Sequence, residues 1–158
     1  MAPQLTDITG FRGEKILELR LTDYTHFPEP LFRPGFLGDK WPSIDFYVEL
    51  KAVADRKPYF FAQAKATTAK LSGNLSISTE KKDIQRLLQI PGPTYIFGIH
   101  EPSQRVFVRS VHAGIPVKAI TRIPLSHELT ISKLRTLYDE VREFWGTDGY
   151  KPRFSAFA

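Results

Sequence analysis

Two apolar runs, SIDFYVEL (43–50) and YFFAQAKAT (59–67), each carry polar groups of the kind phosphodiester chemistry uses. Asp45 opens the first run; Gln63 and Lys65 stand two apart in the second. Hydrolysis assisted by Mg2+ or Mn2+ needs hard oxygen ligands around the cation. It also needs a positioned water, and positive charge beside the phosphate as the transition state develops. Asp45 can bind the cation through its carboxylate, and Gln63 Oε1 and the Ala64 carbonyl are further oxygen donors. Lys65 shares a strand face with Gln63, so its ammonium can orient the water or stabilise the developing charge. Glu14, with Glu18 one turn on, offers a carboxylate directly or through water.

Those residues need elements to hold them, and the hydrophobic pattern supplies candidates. TDITGFRGEKILELRLTDY has capping residues Thr6, Asp7 and Thr9, then Leu17, Leu21 and Tyr24 at helical spacing, which predicts a first helix. PLFRPGFL is apolar but broken by Pro34 and Gly35, as in an edge strand. Alternation in IDFYVEL sends Ile44, Phe46, Val48 and Leu50 to one face and Asp45, Tyr47 and Glu49 to the other. DRKP is a turn, so YFFAQAKAT returns as the second arm of an antiparallel hairpin. TEKKDIQRLLQI predicts a second helix with Ile84, Leu87 and Leu88 on its apolar stripe, stopped by PGP. TYIFGIH and RVFVRSV form a second hairpin around EPSQ, with His100 and His112 at one end. From Ser126, Leu134, Leu137, Tyr138, Val141, Phe144 and Trp145 recur at three- and four-residue steps, ended by Gly146.

The 158 residues, 42% hydrophobic and 25% charged, suit a single domain able to bury a core. The expected organisation is one domain over 1–146, with its core over about 8–112, a C-terminal helix over about 127–146, and a tail over 147–158. The chain has no cysteine, which excludes disulfides, thiolate metal sites and cysteine nucleophiles. With no leader-like opening and no apolar run near the roughly 18–20 residues that span a bilayer, the expectation is a cytoplasmic protein without membrane association. A net charge of +5 is compatible with a polyanionic partner. Arg12 and Lys15 beside Glu14, and Lys70, Lys81, Lys82 and Arg86 around the second helix, are the candidates to track a nucleic-acid backbone. A solvated helix face explains the same charges equally well.

A helical glutamate (RGE, Glu14), an aspartate on one strand (SID, Asp45) and a polar-x-lysine on the next (QAK, Gln63 and Lys65) together resemble the PD-(D/E)XK nuclease superfamily. KKDIQRLLQ, PTYIFGIH and RVFVRSV extend the resemblance over roughly residues 8–112. It is closest to small prokaryotic endonuclease-like proteins in which QxK stands where ExK is commoner. The resemblance implies an α/β, restriction-endonuclease-like fold: a mixed, mainly antiparallel central sheet flanked by helices. It implies a metal-dependent DNA endonuclease using Mg2+ or Mn2+, in genome defence or DNA processing, as a possible homodimer. Asp45 would be the principal ligand, Glu14 a supporting one, Gln63 a neutral ligand or water positioner, and Lys65 the charge stabiliser.

Gln63 is the departure from that pattern. Hard-cation affinity follows ligand charge, so a neutral amide weakens the site unless another acid, such as Glu49 or Asp39, substitutes. The alternative is a catalytically silent nuclease-like module that binds nucleic acid or a protein partner; a third is an oligomeric accessory protein. The remaining candidates carry less: His26, His100, His112 and His127 lack metal-ligand spacing, and Ser43, Ser76, Ser78 and Ser110 have no nucleophile-elbow context.

Overall fold

The computed structural model describes residues 4–54, 56–112, 119–146 and 155–158. Its elements run α1 (Leu5–Leu21), β1 (Phe32–Phe36), β2 (Phe46–Leu50), β3 (Tyr59–Thr67), β4 (Asn74–Ser76), α2 (Lys81–Leu88), β5 (Thr94–His100), β6 (Arg105–Ser110), β7 (Arg122–Pro124) and α3 (Ile131–Gly146). Five strands form one sheet in the order β1-β2-β3-β5-β6, and β4 pairs with β7 in a separate ribbon. All neighbours in the large sheet are antiparallel except β3 and β5, which run parallel. A parallel pair needs a crossover, and α2 lies within it.

Each face of the sheet is sealed differently. Ile16, Leu17 and Leu21 of α1 and Leu134, Leu137 and Val141 of α3 pack on Phe46, Val48, Phe60, Ala62, Tyr95 and Phe97. On the opposite face Ile84 and Leu87 of α2, with Leu75 and Ile123 of the ribbon, cover Ile96 and Phe107. Two glycines permit these layers to close. A Cβ at Gly13 would stand 2.6 Å from the Ala66 Cβ, so α1 crosses β3 at near-backbone contact. A Cβ at Gly98 would stand 2.4 Å from Leu75 Cδ2, where the ribbon crosses β5.

Several boundaries differ from the sequence expectation for identifiable reasons. Tyr24 lies beyond α1 and is 65% exposed, because the helix ends at Thr22, whose hydroxyl bonds back to the Glu18 carbonyl. Ile44 does not share the face of Phe46: it precedes β2, which begins only at Phe46, and it joins the core beneath α2. Leu88 is exposed at the end of α2. His100 pairs with Arg105 at the hairpin turn, whereas His112 hydrogen-bonds Thr94 at the far end, so the two histidines are separated by the length of β5. The last helix starts at Ile131, after a short 3-10 turn over Leu125–His127. Of the 147–158 tail, residues 147–154 lie outside the described part; Phe157 is fully buried and its carbonyl accepts the Ser110 N–H.

Candidate functional site

β2 and β3 separate at Asp45, and the candidate site lies at that separation. The Asp45 N–H still donates to the Ala62 carbonyl at 2.9 Å, the last backbone rung between the two segments. One residue pair further on, the Asp45 side chain takes over: Oδ2 accepts the Ala64 N–H at 2.7 Å. Within a strand, a residue's N–H and C=O face the same edge. The Ala64 carbonyl is therefore directed to the edge where Asp45 sits, past the point at which β2 stops covering β3. Carboxylate and carbonyl are both hard oxygen donors, as expected of that pair.

Gln63 and Lys65 project from the face that α2 covers. Gln63 is 4% exposed, and its Oε1 is buried with no hydrogen-bond partner among the described residues. Its amide N–H donates instead to Asp83, a residue of α2 that the motif reading did not single out. Lys65 Nζ lies 4.0 Å from Asp83 Oδ2. Asp83 also accepts from Ser43 Oγ at 2.5 Å and from the Glu80 N–H at 3.1 Å, closing a capping box at the start of α2. Arg86 donates to the same Ser43 hydroxyl at 3.0 Å. Burial pushes the Asp83 carboxyl upward, but the Ser43, Glu80 and Gln63 hydrogen bonds and the Lys65 charge outweigh it, holding the group below the usual carboxylate range.

The sequence signal for Asp83 was a matter of position. It is the N3 residue of a helix that the crossover must bring against β3, and an acid there completes a capping box. It also faces the neutral Gln63. Ser43, set aside as a nucleophile, has a role after all as the donor that links the β2 entrance to α2.

The other candidate acids are distributed more widely. Glu14 belongs to α1, which packs on the opposite face of the sheet and crosses β3 at Ala66, next to Lys65. Glu49 pairs in register with Tyr59 and hydrogen-bonds Tyr47. Four residues separate Tyr59 from Gln63, about 13 Å of strand, so Glu49 does not stand in for the missing acid. The Asp39 side chain lies outside the described residues. Among the described residues no three histidine or acidic side chains gather closely enough to enclose a metal ion.

Basic residues fall into two groups. Arg12 is paired with Glu101 at 2.5 Å, and Lys15 lies over the Phe11 ring and lines a hollow with Arg33 and Lys51. Across the sheet, Lys81, Lys82 and Arg86 are carried by α2; Lys82 pairs with Glu80 at 3.1 Å, while Lys81 and the loop residue Lys70 are exposed. Lys70 follows β3, and Lys81, Lys82 and Arg86 belong to the helix that covers the Gln63–Lys65 face; Arg12 and Lys15 belong to the far layer. Beside the site, the 52%-exposed Trp41 stacks on Phe61 at 6.3 Å, extending the partly covered row of Phe61, Tyr47 and Tyr59.

Three of the four histidines hydrogen-bond residues outside this cluster. His100 Nδ1 bonds Ser103, His112 Nδ1 bonds Thr94, and His127 Nδ1 bonds the Val108 carbonyl. No helix among the described residues is long and apolar enough to cross a membrane. No family model matches the chain, and neither curated proteins nor solved structures give a significant match.

Proposed function

We propose that the protein is a metal-dependent endonuclease that hydrolyses phosphodiester bonds in DNA at the point where β2 leaves β3. The observation that carries this reading is the convergence on β3: Asp45 bound to the Ala64 N–H, with Gln63 Oε1 buried and unpartnered and Lys65 one residue beyond. In support of a restriction-endonuclease-like core, the order is helix, antiparallel meander, crossover helix and a strand parallel to the third, as the resemblance implies.

Mg2+ or Mn2+ fits the donor set, which is all oxygen: the Asp45 carboxylate, the Gln63 amide oxygen and the Ala64 carbonyl. When bound, such a cation lowers the pKa of a coordinated water and offsets phosphate charge. The chain's own residues do the rest. Asp45 presents its carboxylate at a fixed position because the Ala64 N–H anchors one oxygen. Lys65, kept partly exposed beside Asp83, supplies positive charge toward the phosphate. Glu14 adds negative charge from the α1 side, and Lys70, Lys81, Lys82 and Arg86 follow the backbone of the nucleic acid.

Cleavage of supercoiled and linear DNA by the purified protein with Mg2+ or Mn2+ tests the proposal, with Asp45→Ala and Lys65→Ala alongside. Metal-dependent nicking lost in both variants is the expected result. A folded wild type that cuts neither substrate under either metal rejects it in favour of the silent binding module. Lys65 already within 4.0 Å of a protein carboxylate is the observation that favours that second reading.

A further inference from the structure

Gln63 is the residue that argues against a working metal site, because it brings no charge. Its surroundings reverse that argument. An amide is planar, so fixing its nitrogen fixes its oxygen. With Nε2 donating to Asp83, Oε1 is directed away from Asp83 and finds no partner among the described residues. The opposite orientation of the amide would set Oε1 against the carboxylate, acceptor to acceptor, so the chemistry of the contact itself assigns the flip. Asp83 cannot turn away, since Ser43 holds one of its oxygens at 2.5 Å and the Glu80 N–H the other at 3.1 Å. A buried acceptor held without a donor is a standing cost, and a cation removes it.

We propose that Asp83 is a positioning residue that makes Gln63 a metal ligand: it accepts the Gln63 N–H, leaves Oε1 clear of the protein's own donors for a cation held by Asp45, and lends the amide the negative charge an acidic ligand would bring. This rests on the metal-dependent reading above. It follows the logic by which a carboxylate behind a metal-bound histidine orients the ring and raises its basicity, with an amide in place of the imidazole. The pair Gln63–Asp83 carries one negative charge, as a single glutamate at 63 would. Two residues on two elements thereby stand where the commoner pattern has one. Ser43 and Arg86 complete the support from the other side of Asp83.

The test is Mn2+ affinity, read by calorimetry or by the loss of the free Mn2+ electron-resonance signal, with melting curves to report the fold. Asp83→Asn keeps one acceptor oxygen, enough for the Glu80 N–H, and puts an NH2 in place of the oxygen that accepts from Ser43, so that its amide can donate to Gln63 Oε1. Affinity is expected to fall about 10- to 100-fold, the usual effect of removing an outer-shell partner. The exchange Gln63→Glu with Asp83→Asn restores the charge and returns affinity to within about threefold of wild type, a recovery that a capping role alone does not produce. Ser43→Ala, which leaves α2 its backbone cap, weakens Mn2+ binding in the same direction and serves if Asp83→Asn does not fold. Wild-type binding that Asp83→Asn and Ser43→Ala leave unchanged overturns this inference alone. A folded wild type that binds no Mn2+ overturns it together with the metal-dependent reading.

Discussion

Alternate residues of β3 meet opposite surroundings. Phe60 and Ala62 are wholly buried beneath α1 and α3, whereas on the other face Phe61 and Lys65 remain partly covered and Gln63 is buried against a carboxylate. The first face needs only shape and apolar volume. The second holds a lysine, an amide and an aspartate whose burial is unfavourable unless each is partnered, and one amide oxygen is not. Apolar residues of similar size serve stability as well or better than a buried polar cluster. The contrast separates a face that serves the fold from the face on which the proposed chemistry is placed.

Substitutions should divide along the same line. Phe97→Ala, at a fully buried position on the α1–α3 face, should lower stability by about 3–5 kcal/mol in urea denaturation. A loss below ~1 kcal/mol would mean this face is not the principal core. Gly98→Ala, on the other face, forces a Cβ to 2.4 Å from Leu75 and should cost about 1–3 kcal/mol by displacing the ribbon. An unchanged midpoint would show that the ribbon is not held against β5. Lys65→Met should move stability by no more than ~1 kcal/mol, because the ion pair is long at 4.0 Å and the buried Asp83 keeps its Ser43 and Glu80 donors, while abolishing metal-dependent cleavage. Parallel losses of stability and cleavage would erase the proposed division.

Acid provides the smallest effect and the finest one. Burial holds the His112 imidazole below its usual range, outweighing the Thr94 backbone hydrogen bond and the Glu140 charge. The unfolded chain therefore takes up the proton first as pH falls. The stability contributed by neutral His112 is complete above about pH 6.5 and is lost as pH drops through the folded value. Wild type and His112→Gln should differ most above that pH, and the gap should narrow below it. A gap that widens on acidification would contradict the assigned direction.

Much of the scaffold was legible because it is periodic. Alternation located β2 and β3, β-rich runs on either side of a turn located β5 and β6, and the three- and four-residue steps located α1, α2 and most of α3. The ribbon of β4 and β7 was not legible: three residues each, Asn74–Ser76 and Arg122–Pro124, carry no period and pair across some 45 intervening residues. Ile44 was misplaced because the regular strand begins only at Phe46, and the apolar alternation does not mark where the backbone enters the sheet. At the site, Asp45, Gln63 and Lys65 were recognisable from residue type and strand spacing. Asp83 was not, since its meaning depends on a crossover that sets the start of α2 against β3. The absence of a second acid on β3 was visible in the sequence; the acid facing Gln63 from another element was not.

The β2–β3 separation is proposed to bind a divalent cation for phosphodiester hydrolysis. Mn2+ titrated into 15N-labelled protein tests it most directly, since the paramagnetic ion broadens the amide signals nearest its site. The expected result is early, selective broadening at Asp45, Gln63, Ala64 and Lys65, abolished in Asp45→Ala. Broadening centred on exposed carboxylates elsewhere, or broadening at Ala64 that persists in Asp45→Ala, would contradict it.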